Sequence, residues 1–151
     1  MSMVITAMEE RHIEALAEIE RLCFHAPWSA QALREELGQQ SNLFLVAEQE
    51  GVLGYVGCQT VLDEGYITNV AVHPTARRRG VAQALLAELE QQARQRGLSF
   101  ITLEVRASNA AAIALYTQAG YEPVGVRRGF YRDPAEDAVL MTRYLTGQGE
   151  A

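Results

Sequence analysis

Residues 77–89 read RRRGVAQALLAEL. Three arginines run into a glycine, and from there apolar residues recur at helical spacing. Val81, Leu85, Leu86, Leu89 and Ala93 fall on one side, so a helix is expected over 81–96, with Gly97 as its stop. Upstream, YITNVAV at 66–72 alternates as a strand and HPTARRRG at 73–80 reads as a loop. Downstream, FITLEV at 100–105 is a second strand. Strand, loop, helix and strand in that order form a β-α-β crossover, which makes the two strands parallel neighbours.

The flanking segments pair differently. A short strand is expected at 4–8. A helix follows at 9–24, its apolar face carrying Ile13, Leu16, Ile19, Leu22 and Cys23. HAPWS at 25–29 breaks this helix, because Pro27 disfavours helical geometry in the residue before it. Ser29 is placed to cap a helix at 30–37 that Gly38 stops. Strands at 43–49 and 52–62 join through Glu50 and Gly51 as a tight hairpin. A helix at 109–119 ends at Gly120. The last strands, 121–126 and 138–144, join through RDPAED. The expected class is α/β (α+β), a mixed central sheet of six to seven strands with helices on both faces. One domain over 1–145 is expected, with 146–151 a frayed tail.

Composition narrows the function. With 151 residues, 48% hydrophobic and 21% charged, the chain is long enough to bury a core. A formal charge of −6 argues against nucleic acid as a partner, since phosphate backbones call for a basic face. No apolar run is long enough for a bilayer, and MSMVITAMEERH lacks the pattern of a signal peptide. Cys23 and Cys58 suit reduced thiols, and a cytoplasmic location is expected. His12, His25 and His73 lack ligand spacing, so no metal is expected.

A helix start carries backbone N–H groups without intrahelical partners, and the helix dipole adds positive character. A glycine there lets an anion approach closely. Arg77, Arg78 and Arg79 add charge, so RRRGVA can cradle a pyrophosphate. The Lys-Ser/Thr ending of a Walker loop and the extra glycines of GxGxxG are both missing. By itself, such a stretch reads better as a solvated loop than as a phosphate site.

Arg77, Gly80 and Ala82 make R-x-x-G-x-A, which resembles the Q/R-x-x-G-x-G/A loop of the GNAT N-acetyltransferases, and ITNVAVHP resembles their preceding strand. LDEGYITNVAVHP, LEVRASNAAAIALY and RRGFY resemble more narrowly the RimI type, the ribosomal-protein-alanine N-acetyltransferases. The resemblance spans nearly the whole chain and implies a GNAT fold. It implies acetyl transfer from acetyl-coenzyme A straight to the N-terminal alanine amine of a small-subunit ribosomal protein. By the same resemblance Val70, Ala71, Val72, Arg78, Arg79, Gly80, Val81, Ala82, Gln83 and Asn109 would contact acetyl-coenzyme A. Glu104 would be the general base and Tyr116 the general acid. Rival readings are other protein N-termini or small amines as acceptors, and a non-catalytic acetyl-coenzyme A-binding regulator.

Read residue by residue, Glu104 interrupts an apolar strand. A strand buried on both faces excludes carboxylates. Glu104 is therefore either a base or half of a structural pair with Arg106, at i+2 on the same face. Tyr116 shares a helix face with Ala112, Ile113 and Ala119, as a core tyrosine or as a proton donor to a departing thiolate. Asn109 caps its helix, touches coenzyme, or does both. Trp28 is a core anchor or an acceptor wall, and Tyr131 a groove residue or an exposed hairpin tyrosine. Backbone N–H groups of strand 66–72 are available to an oxyanion.

Overall fold

The computed structural model describes residues 2–145; the tail expected at 146–151 lies outside them. The chain runs β1 (Val4–Ala7), a 3-10 turn (Glu10–His12), α1 (Ile13–Cys23), α2 (Ala30–Glu36), β2 (Leu43–Glu48), β3 (Val52–Val61) and β4 (Glu64–Val72). A 3-10 turn (Pro74–Ala76) leads into α3 (Val81–Gln95), followed by β5 (Phe100–Arg106), α4 (Ala110–Gln118), β6 (Glu122–Tyr131) and β7 (Glu136–Tyr144). The strands form one seven-stranded sheet ordered β1-β2-β3-β4-β5-β7-β6. Among the described residues only β4 and β5 pair in parallel, as the crossover requires.

Each face of the sheet packs its own core. Leu45, Val56, Cys58, Ile101, Leu103 and Val105 bury against Val81, Leu85, Leu86 and Leu89 of α3, with Tyr116 of α4 beside them. Phe44, Val46, Tyr55 and Ala71 bury against Ile13, Leu16 and Ile19 of α1 and Leu33 of α2. The central strands β2 and β3 are thus apolar on both faces. Ser29 caps α2 as expected, its hydroxyl accepting the Ala32 N–H at 3.0 Å.

Two expectations change. β5 is not uniformly buried: its odd positions are buried and its even positions less completely so. Glu104 therefore follows the strand's alternation instead of interrupting it. The last hairpin is also longer than 121–126 and 138–144. β6 runs to Tyr131, so RRGFY lies on a strand, held in part by the Gly129 N–H donating to Asp137 Oδ1 at 2.8 Å.

The feature that shapes the site is in β4. Gly57 opposes Asn69 and Cys58 opposes Ile67, leaving Thr68 as an extra residue. On the other side, β4 pairs with β5 only across Glu64–Tyr66 and Phe100–Thr102. Past that point β4 keeps β3 as far as Val72 but leaves β5, and the sheet opens between them. Close approach of β3 supports the bent segment. A Cβ on Gly54 would lie 2.4 Å from the Ala71 carbonyl oxygen. Gly54→Ala should therefore push β4 outward and cost about 1–3 kcal/mol. Denaturant unfolding of the variant beside the parent chain checks this.

Candidate active site

The opening is flanked by different groups on the two faces of the sheet. On the α3 side, Val72, Ala76, Arg77, Arg78, Gly80, Val81, Ala82, Gln83 and Leu115 line a cleft of about 310 Å³. Gly80 enters α3 with φ +76°, and Arg78 also adopts a left-handed conformation at φ +66°. Left-handed residues in such a loop turn successive N–H groups toward one point. Within α3 the first bonded amide is that of Ala84, donating to Gly80 O at 3.0 Å. The N–H groups of Val81, Ala82 and Gln83 are thus without intrahelical acceptors. Together with Arg78 they make the cleft a fit for a phosphate-bearing group.

Not every expected cofactor residue lines this cleft. Val72, Arg78, Gly80, Val81, Ala82 and Gln83 do. Val70 packs toward the α3 core, and Ala71 points its side chain into the α1 core at 3% exposure. Arg79 turns away to Gln49 Oε1 at 3.2 Å. Asn109 caps α4, its Oδ1 accepting the Ala112 N–H at 3.1 Å. Arg77 lines the cleft, but its guanidinium reaches back to Val72 O at 3.4 Å and Cys23 Sγ at 3.3 Å. Leu115 was missed because nothing in its own spelling distinguishes it from any other helix leucine.

On the opposite face stands Glu104, its side chain 5% exposed. Tyr66 Oη donates to Glu104 Oε1, and Arg127 Nε donates to Glu104 Oε2 at 2.9 Å. The structural pair with Arg106 does not form. Arg106 instead bridges to Glu136 Oε1 at 3.2 Å, stacks over the Tyr131 ring at 4.4 Å and donates to Pro134 O at 3.0 Å. It holds the β6–β7 turn. The row Arg106, Ala138, Arg127 across β5, β7 and β6 explains the exchange. Ala138 is too small to block Arg127, whose long side chain crosses β7 to Glu104. Tyr66 and Arg127 both lie in stretches that drew notice, LDEGYITNVAVHP and RRGFY, but their meeting depends on strand register. Burial, followed by the nearby Glu104, raises the hydroxyl pKa of both Tyr66 and Tyr131.

Tyr116 lies on the α3 side, 8% exposed, its ring 5.8 Å from that of Tyr121. Its hydroxyl has no hydrogen-bond partner among the described residues, and burial pushes its pKa up to about 12. The Trp28 ring packs on Phe44 at 6.1 Å, and its backbone N–H donates to Glu20 Oε1 at 2.8 Å. Glu20 is fully buried and also accepts from Tyr55 Oη at 2.6 Å and Asn69 Nδ2 at 2.9 Å. One carboxylate thus ties the HAPWS loop to β3 and to the bulged part of β4. Sequence reasoning overlooked it, since Glu20 sits in an ordinary amphipathic helix.

An anion cradle at a helix start, a sheet parted between parallel strands and a buried carboxylate at the gap are the parts of a coenzyme-dependent acyltransferase. The chain belongs to the acetyltransferase (GNAT) family, whose profile matches residues 13–121. It is an acetyl-coenzyme A-dependent N-acetyltransferase. It is 36% identical over 139 residues to the [ribosomal protein bS18]-alanine N-acetyltransferase of Escherichia coli, covering 91% of this chain and 94% of that one. The enzyme of the same name from Haemophilus influenzae is 35% identical over 145 residues, covering 94% and 99%. The crystal structure of the Escherichia coli ribosomal-protein-S18-alanine N-acetyltransferase superposes with TM-score 0.89, covering 99% of this chain and 97% of that one. A Salmonella typhimurium acetyltransferase solved with its cofactor acetyl-CoA shares the fold at TM-score 0.82 and 23% identity, covering 98% and 96%.

Burial of Tyr116 has a consequence for stability. Its folded pKa lies above the unfolded value near ~10, so the stability it contributes is complete below that pH. It is lost as pH rises through about 12. Burial raises Tyr55 and Tyr121 as well, so they act in the same direction. The urea midpoint should fall across this window, and Tyr116→Phe should flatten the fall.

Proposed function

We propose that the chain acetylates the α-amine of the N-terminal alanine of a ribosomal protein, with Glu104 as base and Tyr116 as donor to the leaving sulfur. The relatives named for this reaction support the acceptor. One geometric observation carries the catalytic assignment: the carboxylate of Glu104, 5% exposed, stands where β4 and β5 part, on the sheet face opposite the anion cleft.

Acetyl-coenzyme A supplies a thioester carbonyl and a thiolate leaving group. The loop N–H groups and Arg78 hold its pyrophosphate, Gly80 and Ala82 allow close approach, and Val70 and Val72 offer β4 backbone groups to its arm. Ala71 would contribute through its backbone, and Asn109 beside its capping role. Gln83 completes the cradle beyond Gly80, and Arg79, its guanidinium turned to Gln49, would contribute through its backbone N–H. Freed of β5, the N–H groups of β4 are available to negative charge growing on the acyl oxygen.

Glu104 accepts the proton of the incoming ammonium, directly or through one water. A peptide α-amine titrates near ~8 and a lysine amine near ~10.4, so a carboxylate deprotonates the former with less loss. Tyr116, with its pKa about 12, keeps its proton at neutral pH. Full transfer to a thiolate, whose own value is near ~8.5, would run uphill. Tyr116 therefore acts chiefly by hydrogen-bonding the sulfur as charge develops there. Trp28 and Tyr131 wall the acceptor channel on the α1 side.

Glu104→Gln should lower turnover by about 10²–10⁴-fold while leaving acetyl-coenzyme A binding by calorimetry nearly intact. Full activity in that variant would remove Glu104 from the role of base. Tyr116→Phe should cost about 10–100-fold in kcat. Gly80→Val should instead weaken coenzyme binding, because a β-branched residue resists φ +76°. The acceptor is tested with a peptide carrying a free N-terminal alanine, the same peptide with its amine blocked, and a polyamine. Turnover of the free-amine peptide alone supports the reading. Turnover of the polyamine alone would replace the acceptor, and coenzyme binding with no turnover would favour a regulator.

A further inference from the structure

Resting on Glu104 as the base, we propose that Arg127 occupies the place of the acceptor's α-ammonium and must be displaced by it, so that Arg127 sets how readily acceptors enter. Glu104 has two grips of unequal kind. Tyr66 lies on β4 itself and holds Oε1 through its hydroxyl. Arg127 stands on the outermost strand, two strands away, and its side chain is 57% exposed. It meets Oε2 through Nε alone at 2.9 Å, without the paired contact of a forked guanidinium.

Glu104 itself is 5% exposed, and its Oε2 is already taken by Arg127. Ala138, buried between Arg127 and Arg106 in the cross-strand row, leaves Arg127 free to lie across β7. Arg106, the nearest other cation, is engaged by Glu136 and the carbonyl of Pro134, so it does not replace Arg127. An ammonium entering the site meets the requirements Arg127 now meets: a positive charge, an N–H directed at Oε2, and desolvation against Tyr66 and Tyr131. Arg127 is exposed and joined through one nitrogen, so it returns to solvent readily, while the buried carboxylate still calls for a cation that the entering ammonium supplies. The exchange is selective in sign. A neutral or blocked N-terminus offers no charge in return for the lost pair, so Arg127 stays and Oε2 remains taken.

The test uses the full chain with acetyl-coenzyme A and the free-amine alanine peptide. Arg127→Ala should raise kcat/KM for the peptide by about threefold or more, while KM for acetyl-coenzyme A does not move. Methylguanidinium added to Arg127→Ala should then compete with the peptide and raise its KM, with little effect on the parent chain. Arg127→Lys, which keeps a cation on a flexible stem, should stay near the parent value. A fall in kcat/KM for Arg127→Ala that methylguanidinium restores would overturn the proposal and make Arg127 a partner of catalysis. An unchanged kcat/KM would overturn it too. Glu104→Gln separates the two readings: full activity there removes the base, whereas competition by methylguanidinium in Arg127→Ala reports on the cation site whatever the base is.

Discussion

The parting of β4 from β5 is the constraint on which the remainder of the site depends. Parallel strands normally share a ladder along their whole overlap, yet here the ladder stops at Tyr66 and Thr102. The extra residue Thr68 bends β4 while β3 continues to hold it. Every second residue of β4 beyond the bulge therefore turns its backbone groups toward a gap instead of a strand, and buried backbone groups require partners. A bound chain that offers hydrogen bonds to that edge completes the sheet. The gap also connects the two faces. Glu104 belongs to one and Tyr116 to the other, so a reacting centre served by both must lie in the opening itself.

A bend of this kind needs support, and two devices supply it. From β3, Gly54 and Gly57 allow backbone and ring atoms to come closer than a Cβ would permit. From α1, Glu20 reaches Asn69 just past the bulge while also holding Tyr55 and the Trp28 backbone N–H. A buried carboxylate with three neutral donors costs desolvation that an apolar side chain would avoid. What it adds is directionality: hydrogen bonds fix where β4 and the HAPWS loop stand relative to each other, which packing alone leaves looser. One residue thereby ties the HAPWS loop to the bent part of β4.

How far the sequence could be read follows from the range of each interaction. The helix at 81–96, its glycine entry and the parallel crossover depend on local spacing, and they match the structure to within one or two residues at their ends. The placement of Glu104 and Tyr116 depended on resemblance to the family, because one glutamate in one strand has too many explanations. Misreadings came from pairings made across strands. Arg106 at i+2 was the natural partner for Glu104 along β5, but the order β5-β7-β6 brings Arg127 into reach and gives Arg106 to Glu136. Nor does β5 alone reveal that one of its faces is less completely buried. The bulge at Thr68 has no spelling of its own: ITNVAV reads as a regular strand, and only the register against Gly57 and Cys58 exposes the additional residue.

Net charge was a poor guide to the cradle, for a physical reason. The chain carries −6 overall, yet its anion cleft is built from arginine and free N–H groups. Screening limits the reach of exposed charges to about 10 Å at 0.1 M salt, so the distant acidic surface hardly opposes an anion there. What matters is which cations remain uncommitted. Arg11, Arg21, Arg34, Arg106 and Arg143 each pair with a carboxylate. Arg78 makes no ion pair among the described residues and sits in a left-handed turn beside the start of α3. That conformation is disfavoured for a residue with a side chain, and a loop that only linked a strand to a helix would have no use for it. Held there, Arg78 adds its charge to amides that already converge. The site thus gains positive potential where the coenzyme phosphates would lie.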